Sequence, residues 1–183
     1  PSAPRLYTSN ATNAYVTGGS AIGSGKWVVI NAPNTTVTIT NNINYTTTPL
    51  TSVEDIPQAV IIAKNIIISS AVTNIDAWLI AVGSDTTSPA VQNGIINTCG
   101  AGAVSQTTTV NATICNTKLT INGPISANHL LLRRTAGAGS GAAADDPAEV
   151  FNLRADAYIW ATSYSPGTGR LPTVTTKELP PRF

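Results

Sequence analysis

The chain has 183 residues, of which 42% are hydrophobic and only 10% are charged, and its formal net charge is +1. The charged fraction is far below the roughly 25% of ordinary soluble domains, and the pair Arg133–Arg134 is the longest basic run, so nothing predicts binding to nucleic acid. The longest apolar stretch, from Ala59 to Ile68, is interrupted by Lys64 and Asn65 and is too short to span a bilayer.

Residue types that favour β-structure dominate the sequence. Thr, Val and Ile are branched at Cβ and suit pleated strands, while Asn and Gly suit the tight corners between strands. Low charge with abundant Thr, Ser and Asn is typical of secreted and surface proteins, so we expect an extracellular or cell-surface location. Because the sequence starts at Pro1 without a signal peptide, we expect a processed chain or a fragment.

In chain order, residues 1–26 are polar and rich in Gly and Ser, which predicts an extended N-terminal arm. Residues 27–134 follow as short β-like runs separated by Asn, Gly and Pro. Three runs share one pattern: two apolar residues two positions apart, then turn-compatible residues, and a third apolar residue four positions after the second. The runs are Val37, Ile39 and Ile43; Ile66, Ile68 and Val72; and Leu119, Ile121 and Ile125. A weaker copy lies near Ile95 and Ile96.

The first residues of these runs are separated by one and then about two copies of a period of roughly 27–29 residues, which is typical of stacked repeats. We therefore predict an all-β fold, a short right-handed parallel β-helix (solenoid) with extended N- and C-terminal arms. The alternative is a β-sandwich in which the spacing is coincidental.

Beyond this core, residues 135–146 are predicted to be a Gly/Ala linker and residues 147–183 an extended C-terminal tail. Apolar residues alternate with polar or aromatic ones from Phe151 to Trp160, which favours a strand. Asp146, Pro147 and Glu149 resemble a helix cap, so one helical turn could precede the extended part.

The two cysteines, Cys99 and Cys115, enclose a small-residue segment that looks worth closing. In an oxidising compartment we expect a disulfide worth roughly 3 kcal/mol. Two buried free thiols are the alternative. A zinc site is not expected, because two Cys and one His leave the usual set of four ligands incomplete.

No residue pattern predicts catalysis or a cofactor. The single histidine, His129, lies on a predicted strand, and the nearest acid in sequence is Asp145. Of the acids, only Asp76 falls in an apparent core strand, so a polysaccharide hydrolase or lyase is the least favoured function. The Gly-rich stretches at 18–26 and 137–142 fail the phosphate-loop and dinucleotide motifs. The sequons at Asn10, Asn34, Asn44 and Asn111 are as many as composition alone would give.

The C-terminal third resembles a group of known proteins. Three runs show the resemblance: TKLTINGPISANHLLLRR, DPAEVFNLRADAYIWA and ELPPRF. They resemble the C-terminal part of large, uncharacterised surface proteins of candidate-phyla (Saccharibacteria-like) bacteria. The resemblance implies export, attachment to the cell surface or an appendage, and a β-helical stalk. It carries no catalytic or ligand residues to this chain.

Two functions remain open from sequence. The first is a structural subunit of an extracellular appendage or filament that assembles with itself through open β edges and its terminal arms. The second is an adhesin for cell-surface glycans, for which the candidate stacking residues are aromatic, although packing is their more common role: Trp27, Trp78, Trp160, Tyr158 and Tyr164.

Overall fold

Strands dominate the computed structural model, which describes residues 5–46, 49–87, 90–100, 113–135 and 147–163. One α-helix, α1 (Ala155–Ser163), and one 3-10 turn (Val53–Asp55) accompany them. The strands are β1 (Arg5–Thr8), β2 (Asn13–Val16), β3 (Trp27–Ile39), β4 (Gln58–Ile68), β5 (Asn74–Asp76), β6 (Trp78–Ala81), β7 (Thr86–Thr87), β8 (Ala90–Val91), β9 (Ile95–Asn97), β10 (Leu119–Asn122), β11 (Ile125–Ser126), β12 (His129–Leu131) and β13 (Glu149–Asn152).

The strands stack into three parallel ladders. The first ladder contains β1, the start of β3, the start of β4, β6 and β11. The second contains β2, the end of β3, the end of β4, β9 and β12. The third contains β5, β10 and β13 and is extended by the bridges Ile22↔Tyr45 and Ile43↔Ile75. Within the described part of the chain, only the β7–β8 hairpin pairs antiparallel, which excludes the antiparallel β-sandwich.

The chain passes through the three ladders in the same order five times. We call each pass a layer, and the layers comprise residues 5–22, 27–45, 58–76, 78–122 and 125–152. Layer four is the longest, because the β7–β8 hairpin and a disulfide-closed segment are inserted between its strands. Strands that pair in parallel within one ladder are joined by the remainder of a layer, because a tight turn cannot join two parallel strands.

The interior is filled by aliphatic columns, one along each ladder. In β4, Ala59, Ile61 and Ala63 are buried, while Val60 and Ile62 between them are partly exposed, as the two-residue period of a strand requires. The three central columns are Ile30, Ile61 and Leu79; Val37, Ile66 and Ile96; and Ile43, Ile75 and Ile121. Each column places branched residues of similar size directly above one another.

One of the three predicted repeats, the Leu119 run, does not stack on the other two as the sequence pattern predicted. Val37 does pair with Ile66, 29 residues later, as expected. Leu119, however, belongs to the third ladder, where it pairs with Glu149. The next member of the Val37–Ile66 column is Ile96, in the run that the sequence had indicated only weakly. Because layer four contains two insertions, the constant spacing between repeats does not hold across it, and the apolar run that begins at Leu119 belongs to the third ladder.

The predicted N-terminal arm and the predicted C-terminal tail both contain strands that pair with the core. In the expected N-terminal arm, β1 and β2 both pair with β3 and form layer one. In the expected tail, β13 is extended and pairs with β10, but the extended prediction is wrong for residues 155–163, which are helical. Ala residues in α1 are strong helix formers, and their alternation with polar residues only imitates a strand. Residues 136–146, most of the predicted linker, lie outside the described residues.

Candidate assembly surfaces

The aromatic residues predicted as glycan contacts are only partly brought together. Trp78 and Tyr158 have ring centroids 6.1 Å apart, and Trp160 lies on the same helix as Tyr158. Trp27 pairs in register with Gln58, whose Oε1 accepts a hydrogen bond from Trp78 Nε1 at 2.9 Å. Tyr164 lies outside the described residues. The aromatic contact therefore fastens α1 to the side of the stack.

Tyr45 and Arg154 complete this lateral contact. The hydroxyl of Tyr45 accepts a hydrogen bond from the backbone N–H of Ala59 at 2.7 Å, and burial raises the pKa of Tyr45 well above its ordinary value. The Arg154 guanidinium lies 4.9 Å from the centre of the Tyr45 ring and pairs with Asp156. Burial opposes the charge of Arg154, but the carboxylates of Asp156 and Asp76 together raise its pKa. The charged groups of this cluster therefore pair with one another and attach the start of α1 to the stack.

Asp76, the acid that the sequence placed in a core strand, has several donors. Its Oδ2 accepts the backbone N–H of Tyr45 at 2.8 Å, and its Oδ1 accepts from the Asn122 and Asn74 amides at 2.8 and 3.2 Å. These contacts join layers two, three and four. They give Asp76 a structural role.

Asparagine side chains form a hydrogen-bonded chain along the outside of the third ladder. Asn74 donates to Asn44 at 2.8 Å, Asn122 to Asn74 at 3.1 Å and Asn152 to Asn122 at 2.8 Å. This asparagine chain is not among the features predicted from the sequence. The only available signal was Asn recurring near the corners, which reveals stacking only once the layers are known.

His129 pairs with an acid that is distant in sequence. Its Nε2 lies 2.9 Å from Oδ2 of Asp85, whereas the nearest acid in sequence, Asp145, lies outside the described residues. Asp85 Oδ1 also accepts the backbone N–H of Asn93 at 2.7 Å, and this bond, followed by the His129 contact, lowers the pKa of Asp85. The Asp85–Asn93 bond closes the base of the β7–β8 hairpin, and His129 contacts that base from β12. In the part of the chain that the structure describes, no three His, Cys, Asp or Glu residues could hold a metal ion.

A buried arginine holds the corner between the second and third ladders. Arg134 donates from Nε to the carbonyl oxygen of Thr98 at 2.7 Å, from Nη1 to that of Ser70 at 2.7 Å and from Nη2 to that of Ser69 at 2.9 Å. It also donates to the hydroxyl of Thr117, and burial lowers its pKa. One guanidinium thereby joins layers three, four and five.

Next to Arg134, the predicted disulfide between Cys99 and Cys115 is confirmed. Glu149 faces the same corner, where its Oε1 accepts the backbone N–H groups of Arg133 and Arg134 at 2.9 and 2.7 Å. Among the described residues its Oε2 is buried without a hydrogen-bond partner.

As far as the described residues go, the N-terminal end of the stack is open and largely apolar. In the described chain, β1 and β2 each pair on one side only, with β3. Layer one surrounds a cavity of about 690 Å³ whose lining includes Tyr7, Ala14, Val16, Val28 and Ile30. The Tyr7 side chain, which continues the first interior column, is half exposed.

The C-terminal end is also apolar. Among the described residues, β11, β12 and β13 each have a strand partner on one side only. Leu130 and Phe151 stand at column positions and are 42% and 40% exposed, although the equivalent Ile96 and Ile121 are fully buried. With Ile125, these two side chains line a second, shallower cavity of about 390 Å³. Within the described ranges, both ends of the stack therefore present interior residues that no further layer covers.

No family model, curated protein or solved structure matches this chain. The resemblance to candidate-phyla surface proteins therefore stays a prediction. No helix among the described residues is long and apolar enough to cross a membrane.

Proposed function

We propose that this chain is a structural subunit of an extracellular surface appendage or filament, built on a short right-handed parallel β-helix. Its support is the repeated order in which the chain visits three parallel ladders. A connection between parallel strands of one sheet is right-handed in about 98% of cases, which favours the right-handed form. The division into an N-terminal arm, core, linker and tail stays a prediction; layer one already extends the core into the expected arm.

The observation that carries the proposal is the pair of open ends. Unpaired N–H and C=O groups on an edge strand are a template for another chain, and proteins that stay monomeric usually cover such edges. Here the described end strands each pair on one side only and carry exposed apolar residues, among them Leu6 and Tyr7 at one end and Leu130 and Phe151 at the other. Exposed apolar surface of this kind marks interaction sites.

The disulfide supports the extracellular part of the proposal. Disulfides persist in oxidising compartments and are rare in the cytosol. The Cys99–Cys115 bond closes the insertion of layer four at its base, beside the Arg134 corner. The prediction that the chain is not an enzyme remains a prediction.

Assembly can be measured directly with the purified protein. We expect light scattering to show a mass that rises with concentration, and negative-stain electron microscopy to show linear particles. A monomer at every concentration would contradict the proposal.

Glycan binding is the second candidate, favoured by the half-exposed Tyr158 ring beside Trp78. Sugars stack on such rings, so a glycan array should give a signal that Tyr158→Ala removes. Tyr15→Ala is the matched control, since Tyr15 is an exposed tyrosine on β2, in layer one. Equal array signals for both variants, or none for the wild type, would exclude this role for Tyr158.

A further inference from the structure

We propose that a second copy of this chain is the partner of each open end, stacked head to tail so that β11 and β12 of one copy pair in parallel with β1 and β2 of the next. This inference rests on the proposed function and specifies its interface. The pairing continues the existing register: Ile125 stacks on Tyr7, and Leu130 stacks on Ala14.

The backbone geometry favours this arrangement. In the first and second ladders every layer repeats the strand positions of the layer beside it, because the strands pair in register. In these two ladders, the strands of layer five in one copy are therefore arranged like those of layer two, which pair with layer one within each copy. Parallel pairing at the junction would continue both ladders without a change of strand direction, as in β-augmentation.

Side-chain sizes at the two ends are complementary. In the second ladder the column runs Ala14, Val37, Ile66, Ile96 and Leu130, from its smallest residue at the N-terminal end to a leucine at the C-terminal end. Stacking Leu130 on Ala14 sets a large side chain against a small one above the 690 Å³ cavity. In the third ladder, Phe151 would lie over the segment 18–22, where layer one has no strand.

A head-to-head arrangement lacks this complementarity. It would face the Ala14 position with a second copy of itself and reverse the strand direction at the junction, whereas head-to-tail contacts set Leu130 against Ala14, keep the strands parallel and repeat without closing. The helix α1 does not obstruct the C-terminal end, because it contacts Trp78 and the 3-10 turn on the side of the stack. Of the described residues that line either end cavity, Arg5 alone is charged, so these residues create no charge repulsion against the contact.

Cysteine cross-linking tests the register. Adjacent strands lie about 4.8 Å apart, within the Cα–Cα range that a disulfide accepts. In the double variant Ala14→Cys/Leu130→Cys, mild oxidation should produce a ladder of covalent multimers on a non-reducing gel. Ala14→Cys alone and Leu130→Cys alone should each stay at the mass of one chain.

The register control is Ala14→Cys/His129→Cys. A shift of one residue turns the side chain to the opposite face, so this variant should not form multimers. Tyr15→Cys/Leu131→Cys is an independent pair, since both residues face outward in the predicted register and their replacement leaves the interior intact. It should cross-link as the first pair does, provided that circular dichroism shows a native spectrum.

The outcomes separate this inference from the proposed function. Multimers from both in-register pairs, with none from the control, support it. Covalent dimers from Ala14→Cys alone would show head-to-head contact and overturn it. Linear particles of wild-type protein without cross-linking of either pair would overturn the register while leaving the proposed function standing. Monomers at every concentration, as expected if another segment of the same chain covers the ends, would overturn both.

Discussion

Replacing Arg134 by methionine should destabilise the protein strongly although it removes no apolar volume. The guanidinium of Arg134 donates to three backbone carbonyl oxygens, those of Ser69, Ser70 and Thr98, which belong to two layers other than its own. Methionine fills a similar space but donates nothing. The freed carbonyl groups lie at a corner that the arginine largely shields from water.

The magnitude follows from these contacts. A hydrogen bond from a charged donor contributes about 1.5–3 kcal/mol, and a buried acceptor left unsatisfied costs about 1–3 kcal/mol. Two effects reduce the sum: water can reach part of the opened corner, and the variant no longer buries a charge, which the lowered pKa of Arg134 shows to be unfavourable. We expect a net loss of about 3 kcal/mol in the free energy of unfolding. For a chain of this length that corresponds to a fall of about 6–12 °C in Tm.

Thermal and urea unfolding of dilute protein, followed by circular dichroism, would measure the loss. Arg5→Met is the matched control, because Arg5 is an exposed cation on β1, and it should change the stability by less than about 0.5 kcal/mol. Arg134→Lys should recover only part of the loss, since one ammonium group cannot span three carbonyls. If Arg134→Met were as stable as Arg5→Met, the corner would not depend on these bonds.

Three further perturbations test other contacts. Removing the disulfide by Cys99→Ser/Cys115→Ser should lower the free energy of unfolding by roughly 3 kcal/mol, and an unchanged urea midpoint would contradict its role. Asp76→Ala removes the acceptor of the Tyr45 N–H and one of the acceptors of the Asn74 and Asn122 amides, and should cost about 2 kcal/mol in the same assay; a neutral effect would show that water replaces the carboxylate. Because the pKa of Asp85 is lowered in the folded protein, its contribution to stability is present above the ordinary aspartate pKa and is lost as the pH falls through the lowered value. Urea midpoints measured from neutral to acidic pH should therefore fall less for Asp85→Asn than for the wild type, and parallel curves would refute this contribution.

The core of the fold could be predicted because its signal is local. Two runs of β-branched residues, 60–62 and 66–68, mark β4, and the 29-residue spacing of Val37 and Ile66 gives the number of residues between neighbouring layers. The Cys99–Cys115 bond was predictable from two cysteines around a small-residue segment. The ladder to which Leu119 belongs was not predictable. Layer four contains two insertions, and their lengths cannot be read from the sequence.

The contacts that join layers were not predictable from sequence for a related reason. Arg134 reaches Ser69, and His129 reaches Asp85, across 65 and 44 residues respectively. Such pairs follow from which residues stack, and stacking depends on every intervening insertion. The helix α1 was missed because its alanines fit either period, and its contact with Trp78 decides the conformation.

The measurement that tests the central claim most directly is the power spectrum of assembled particles in cryo-electron microscopy. Five stacked layers at about 4.8 Å give an axial repeat of about 24 Å for each copy. We predict linear particles with a reflection at about 4.8 Å along the axis and a subunit repeat near 24 Å. Particles whose strands run along the axis, or whose repeat bears no relation to five layers, would contradict the stacked parallel β-helix and its end-to-end assembly.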